Sequence, residues 1–296
     1  MAGFLVWRAL RQYTVEEVLA ALRAISLRHL ALGALFTAGS FLCLTGSDTL
    51  AVRYAGRDLP YRKIALTSFI SLSIGHTLGF AAFSSGAVRY RFYAAWGLSA
   101  GDVGRIIVFC GFTVLVGLCT LGGISALIRP VLIGELFGLG RGAMTAIGSA
   151  LLLVVLGYLA LAAWVHRPIQ IRNFELPVPP LRLALGQVAV GTTDFLLVSA
   201  VLHQMLSALI EIDFFPVAMG YVAANSAAIL SHVPGGLGVI EAVVLSLVPG
   251  AQVIGALVAF RVVYYLIPFM IGALLLGVCE LLRRQRRVAA GPEPSR

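Results

Sequence analysis

The sequence predicts an all-α, polytopic integral membrane protein of about eight transmembrane segments, two of them interrupted by glycine-rich, re-entrant breaks. Three observations carry that prediction. Of 296 residues, 59% are hydrophobic and only 12% are charged, about half the charged share of a soluble domain. Mean hydropathy is +0.95. The charged residues gather between apolar runs, and those runs reach the roughly 20 residues that a helix needs to cross a bilayer.

Residues 1–28 precede the first long apolar run and carry Arg8, Arg11, Glu16, Glu17, Arg23 and Arg28. A secretory signal puts its short apolar stretch earlier, so none is expected. Within this segment TVEEVLAALRAISLR, residues 14–28, reads as an amphipathic helix lying at the interface. Thr14 and Glu17 have capping-box spacing, and Val15, Val18, Leu19, Leu22 and Ile25 form one apolar stripe. An ordinary cytoplasmic helix would show the same pattern.

Runs 29–50, 64–84, 103–128, 142–165, 183–210 and 214–231 read as spans. A seventh run, 237–280, is too long for one crossing and is split by Pro249-Gly250 into 237–248 and 251–280. Residues 29–282 therefore form the transmembrane domain. It divides into halves of about 29–165 and 183–282 around the polar, Pro-rich linker 166–182. Residues 283–296 form a basic tail.

Lys63 is the sole lysine in a chain of net charge +9. If the short run 237–248 crosses, there are eight crossings, both termini are cytoplasmic, and basic residues divide fifteen to six in favour of that side. This orientation leaves Arg53, Arg57, Arg62 and Lys63 in an external loop. The arginines lie between apolar runs, where they set orientation and meet anionic headgroups, so nucleic acid is not an expected partner.

The two halves share a pattern that suggests an internal repeat. An apolar run ends in SSG at 84–86, and another ends in PGG at 234–236, 150 residues later. Asp48 and Asp194 fall near matching positions. Interrupted segments at corresponding places in two halves point to a transporter's binding site.

HVPGGLGVIE, residues 232–241, is the clearest such interruption. Pro234 breaks a helix, and Gly235, Gly236 and Gly238 free the backbone at membrane depth. Unpaired peptide groups there need protein or a water-filled cavity around them. A helix restarting near Leu237 would aim N–H groups and a positive dipole end into that cavity, which suits an anion such as phosphate. A glycine kink that only packs helices closely is the alternative.

In the first half, SSGAVRYRFYAAWGLSAGD offers Arg89 and Arg91 as fork-shaped phosphate donors, or as orientation anchors. Ser99 and Asp102 have capping-box spacing before the next span.

Asp194, Glu241 and Arg261 lie within apolar runs. A charge at the bilayer centre costs about 2.5–3.5 kcal/mol on insertion scales, so each requires a partner or a polar path. A structural pair between Glu241 and Arg261 would satisfy two of them, and a pair that breaks on substrate binding would serve both ends. Asp194, Asp48 and His232 are candidates for a coupling role.

Catalysis is not expected. The five histidines are scattered without HExxH or GxSxG, and His232 beside Glu241 lacks a nucleophile or metal set. Cys43, Cys110, Cys119 and Cys279 make no CxxC pair. No metal or cofactor is expected, and no GxxxxGK[ST] nucleotide loop is present.

The stretches SDTLAVRYAGRDLPYRKIALTSFIS, SSGAVRYRFYAAWGLSAGDVGRIIVFC, SHVPGGLGVIEAVVLSLVP and ALVAFRVVYYLIPF resemble the membrane domain of the lysylphosphatidylglycerol synthase/flippase, the multiple peptide resistance factor. The resemblance runs in order from about residue 15 to 282. It implies a multi-pass bacterial inner-membrane protein that moves an aminoacylated phosphatidylglycerol, or a related phospholipid, between leaflets. Such a role is tied to resistance against cationic antimicrobial peptides.

Arg89, Arg91, Glu241 and Arg261 sit within the shared motifs and carry over as site residues, with Tyr264 three residues beyond Arg261. Asp194 carries over less directly. The chain ends at Arg296, so an aminoacyl-transferase domain is not expected within it. A membrane scaffold for a separate lipid synthase is the rival reading, followed by a lipid-modifying enzyme, and a homodimer is compatible with either.

Overall fold

The computed structural model describes residues 15–78, 81–165, 169–171, 174–231, 233, 236–248 and 250–289. In chain order these form α1 (Val15–Ala24), α2 (Leu27–Tyr54), α3 (Tyr61–Leu78), α4 (Ala81–Ala94), α5 (Ala100–Ile128), α6 (Pro130–Leu136) and α7 (Arg141–Trp164). A ribbon of β1 (Ile169–Ile171) and β2 (Phe174–Leu176) follows. Then come α8 (Leu181–Ser207), α9 (Phe214–Ser231), α10 (Val239–Leu247), α11 (Ala251–Arg261), a π-helical turn (Val262–Leu266) and α12 (Ile267–Ala289). The fold is helical as expected, apart from the antiparallel ribbon within the linker, which pairs Ile169 with Leu176.

Six stretches among the described residues are long and apolar enough to cross a membrane, where about eight crossings were expected. They are Leu27–Tyr54, Ala100–Ile128, Arg141–Trp164, Leu181–Ser207, Phe214–Ser231 and Val253–Leu282. This is a multi-pass membrane protein. Its surface agrees, with Leu35, Leu42, Leu153, Leu156 and Leu274 all turned outward. Helix α7, at the periphery, buries only Met144, Gly148, Val155 and Ala162.

Contacts between helices give the direction of each. Gly33 lies against Met205, Gly39 against Leu197, Gly46 against Val190 and Leu50 against Gly186, so α2 and α8 run antiparallel along their length. Helices α5 and α8 run parallel and touch backbone to backbone. A Cβ on Gly191 would stand 2.4 Å from the Thr113 carbonyl oxygen, and one on Gly117 would stand 2.6 Å from the carbonyl carbon of Gly191. Only glycine permits that approach.

Helices α3 and α4 form a hairpin that starts and finishes at one end of the bundle. The Lys63 ammonium sits 5.3 Å over the Trp96 ring, joining the start of α3 to the end of α4. Arg57, just past α2, pairs with Asp102 at 2.8 Å in the first turn of α5. The expected capping box holds that turn, because the Ser99 hydroxyl accepts the Asp102 N–H and the Asp102 carboxylate accepts the Ser99 N–H.

Helices α9 and α10 make a second hairpin from the other end. Leu247 returns to Gly220, and Arg129 beside α6 lies 3.6 Å from Asp213 just before α9. Helix α1 packs on α11 at the Asp213 end. The far part of α12 reaches the opposite end, where Glu280 meets Arg91.

The element order long, hairpin, long occurs twice, as α2–α5 and as α8–α12. Cross-contacts obey the same exchange, with α5 packed on α9 and α12 packed on α3. Because α2 and α8 are antiparallel, the halves are inverted copies in arrangement. The first interruption is not at its expected place: helix α4 runs through SSG at 84–86. Serine is tolerated inside a helix when its hydroxyl finds a partner, and Ser85 has one in Arg89.

Candidate functional site

A cavity of about 500 Å³ lies between the two halves, where the tips of both hairpins converge. Gly75, His76, Ser85 and Arg89 come from the first hairpin, and Asn225, Ala228, Val233 and Gly236 from the second. Cys43 and Ser47 of α2, Cys110 and Thr113 of α5, Asp194 of α8, Tyr221 of α9, and Tyr264 and Tyr265 of the π turn add to the polar lining. Ile107, Val198 and Ile240 contribute apolar wall.

On one side stands Arg89. Its Nε and Nη2 donate to the two oxygens of Asp48, each at 3.0 Å, and its Nη1 donates to Ser85 at 3.2 Å. The two side chains are 4% and 0% exposed, so the pair lies inside the protein. Buried pairs survive only when the geometry is good and the remaining lone pairs are met. The parallel fork supplies that here.

A second arginine–carboxylate pair braces the other hairpin. Arg261 donates from Nε to Glu241 Oε1 at 2.7 Å and from Nη2 to Oε2 at 3.0 Å. The same Nη2 donates to the Gly236 carbonyl at 2.9 Å, and the guanidinium lies 4.9 Å from the Tyr265 ring centre. Helix α10 begins at Val239 after Gly238, whose φ of 78° is left-handed. The free N–H of Gly238 donates to Glu241 at 2.9 Å. The helix terminus expected to await an anion is therefore met by the chain's own carboxylate.

Asp194 differs from both. It is 8% exposed, receives a 2.5 Å hydrogen bond from Ser40, and has no cation within ion-pair distance among the described residues. Ser40 in turn lies 3.0 Å from the Tyr264 hydroxyl, and the His76 ring stacks on Tyr264. The π turn places Tyr264 and Tyr265 here. One extra residue in the turn widens the helix and re-aims its side chains, a departure that often marks working sites.

Of the residues singled out in the sequence, Arg89, Asp194, Gly236 and Tyr264 meet at the cavity. Asp48 stands directly behind Arg89. Glu241, Arg261 and Gly238 form the layer behind the second hairpin. Arg91 points away to the end of the bundle and pairs with Glu280 at 2.5 Å. His232, Pro234 and Gly235 lie outside the described residues. Ser40, Ser85, His76, Tyr221 and Asn225 were not picked out, although Asn225 and His76, polar groups deep in apolar runs, were the available signal. No group of three or more metal-ligating side chains occurs among the described residues.

No family model matches the sequence. Over 291 residues the chain is 36% identical to the Synechocystis sp. protein slr0712, an alignment covering 96% of this chain and 90% of that one. The chain belongs to the family of that protein. Over 283 residues it is 28% identical to the Escherichia coli K12 inner membrane protein YbhN, covering 94% of this chain and 83% of YbhN. Both alignments are long enough to take in the two hairpins and the helices around them.

Proposed function

We propose that this protein is a phospholipid transporter of a bacterial inner membrane. It moves an aminoacylated phosphatidylglycerol, or a lipid of the same charge pattern, between leaflets and does not synthesise it. The observation that supports this reading best is the cavity itself. It sits between inverted halves and is walled by both hairpin tips. It presents Arg89, donor-rich, on one side and Asp194, an acceptor without a cation among the described residues, on the other. A headgroup bearing a phosphate and an ammonium matches both, while apolar wall residues let the acyl chains stay in the bilayer. The resemblance noted in the sequence and the inner-membrane placement of YbhN point the same way.

The helix contacts favour five crossings, α2, α5, α7, α8 and α11 with α12, and two re-entrant hairpins. Arg53, Arg57, Arg62, Lys63, Arg91, Arg105 and Arg182 then share one side. Arg23, Arg28, Arg129 and Arg141 share the other. The positive-inside rule makes the first side cytoplasmic. This arrangement places Arg53–Lys63 inside and puts α1 across the membrane from the end of α12.

Leaflet exchange of fluorescent phosphatidylglycerol and of its lysyl ester, in liposomes holding the purified protein, tests the transport reading. Exchange above that of empty liposomes, lost in folded Arg261→Ala and Glu241→Gln, supports it. Exchange no faster than in empty liposomes, with either lipid and under an imposed proton gradient, would leave the scaffold reading in first place.

A further inference from the structure

Three carboxylates lie deep in the membrane-spanning part of the chain: Asp48, Glu241 and Asp194. Asp48 and Glu241 are each spanned by an arginine fork, and a proton arriving at either would have to break two charge-assisted bonds. Among the described residues Asp194 has only a hydroxyl partner, and it opens onto the cavity. A lone carboxylate in such a place either binds a proton or finds a mobile cation.

We infer that Asp194 is the proton-exchanging group of the transport cycle, holding a proton when the cavity is empty and releasing it when a lipid ammonium comes against it. This rests on the transport reading above. The step balances: the O–H bond of the acid breaks, the proton passes to cavity water, and the carboxylate keeps the electron pair as counter-ion to the ammonium. When the lipid leaves, a proton from the side to which the cavity opens restores the acid.

The surroundings are suited to this. Helix α2 presents Ser40 and Cys43, and α9 presents Tyr221. The π turn adds Tyr264 and Tyr265, and all four of these titratable side chains lie within range of Asp194's charge. His76 of α3 stands behind Tyr264. Arg89 of α4 faces the cavity with its charge met by Asp48, and Cys110 of α5 lines the wall beside it. On α11, Arg261 is engaged by Glu241 of α10. Helix α7 directs Tyr158 to Gln187 instead. Both arginines at the site, Arg89 and Arg261, are engaged by carboxylates, and the titratable side chains recorded around Asp194 are a thiol and three phenols.

Two measurements on the full chain test this. In detergent, infrared difference spectra across a pH titration should show the C=O stretch of a protonated carboxylic acid that is missing in Asp194→Asn. Ser40→Ala, which keeps the carboxyl and removes its recorded donor, should displace the midpoint of that band. In liposomes, the ratio of lysyl-lipid exchange with and without a pH gradient should exceed one for the native protein and fall to one in Asp194→Asn.

A band identical in Asp194→Asn, or a gradient ratio unchanged in that variant, overturns the inference. Failure of the transport reading is separable, because native protein that moves no lipid can still show the Asp194 band in detergent.

Discussion

Arg89 and Asp48, 41 residues apart, meet through two parallel N–H···O bonds of 3.0 Å, and the fork ties the first hairpin to helix α2. Removing one member leaves the other as an unmet charge in an apolar interior. Asp48→Asn should therefore cost about 3–5 kcal/mol of stability, read as a lower unfolding midpoint and a lower yield of folded protein in detergent. Asp48→Leu combined with Arg89→Met removes both charges together. That pair should recover most of the stability and still fail to move lipid.

The second fork allows a finer substitution. Arg261→Lys preserves the charge, but one ammonium cannot hold both Glu241 oxygens and the Gly236 carbonyl in the planar geometry of a guanidinium. Loss of one charge-assisted bond, about 1.5–3 kcal/mol, should slow lipid exchange by roughly tenfold or more and lower the thermal midpoint by less than Asp48→Asn does. An exchange rate equal to native would show that the hairpin tip needs no such brace.

Close packing of α5 on α8 is testable through a methyl group. Gly191→Ala places a Cβ 2.4 Å from a carbonyl oxygen, so the two helices must separate, at a cost of about 1–3 kcal/mol. Gly157→Ala on α7 meets nothing within 4 Å and should be neutral or slightly stabilising, by about 0.5–1 kcal/mol. Chemical denaturation in mild detergent compares the two.

Membrane sidedness separates five crossings from eight. In a background without the four native cysteines, Asp58→Cys and Arg141→Cys should react with an impermeant maleimide from opposite faces, with Asp58→Cys protected in intact cells. Labelling of both from one face would restore the eight-crossing arrangement.

Much of the helical layout was legible from composition alone, because spans announce themselves by length and apolarity. The Ser99–Asp102 cap and the Glu241–Arg261 pair were legible too, the first from local spacing and the second because two charges in apolar runs need one another. The partner of Arg89 was not, since nothing along the chain couples residue 89 to residue 48. The first interruption escaped because SSG looks like a break and is instead helical, with Ser85 held by Arg89. The π turn is a shift in hydrogen-bond offset without a compositional mark. The inversion of the halves emerged only from glycine-to-side-chain contacts along α2 and α8.

Both arginine forks close within their own half: Asp48 with Arg89 in the first, Glu241 with Arg261 in the second. During synthesis, the amino-terminal half can thus leave the translocon already neutralised, before the ribosome has made residue 181. The carboxy-terminal half does the same when its turn comes. What must wait for both is the Ser40–Asp194–Tyr264 group, which draws on each half. A nascent chain arrested after the first half should insert and resist extraction, while the cavity comes into being only when the two inserted pieces find each other in the bilayer.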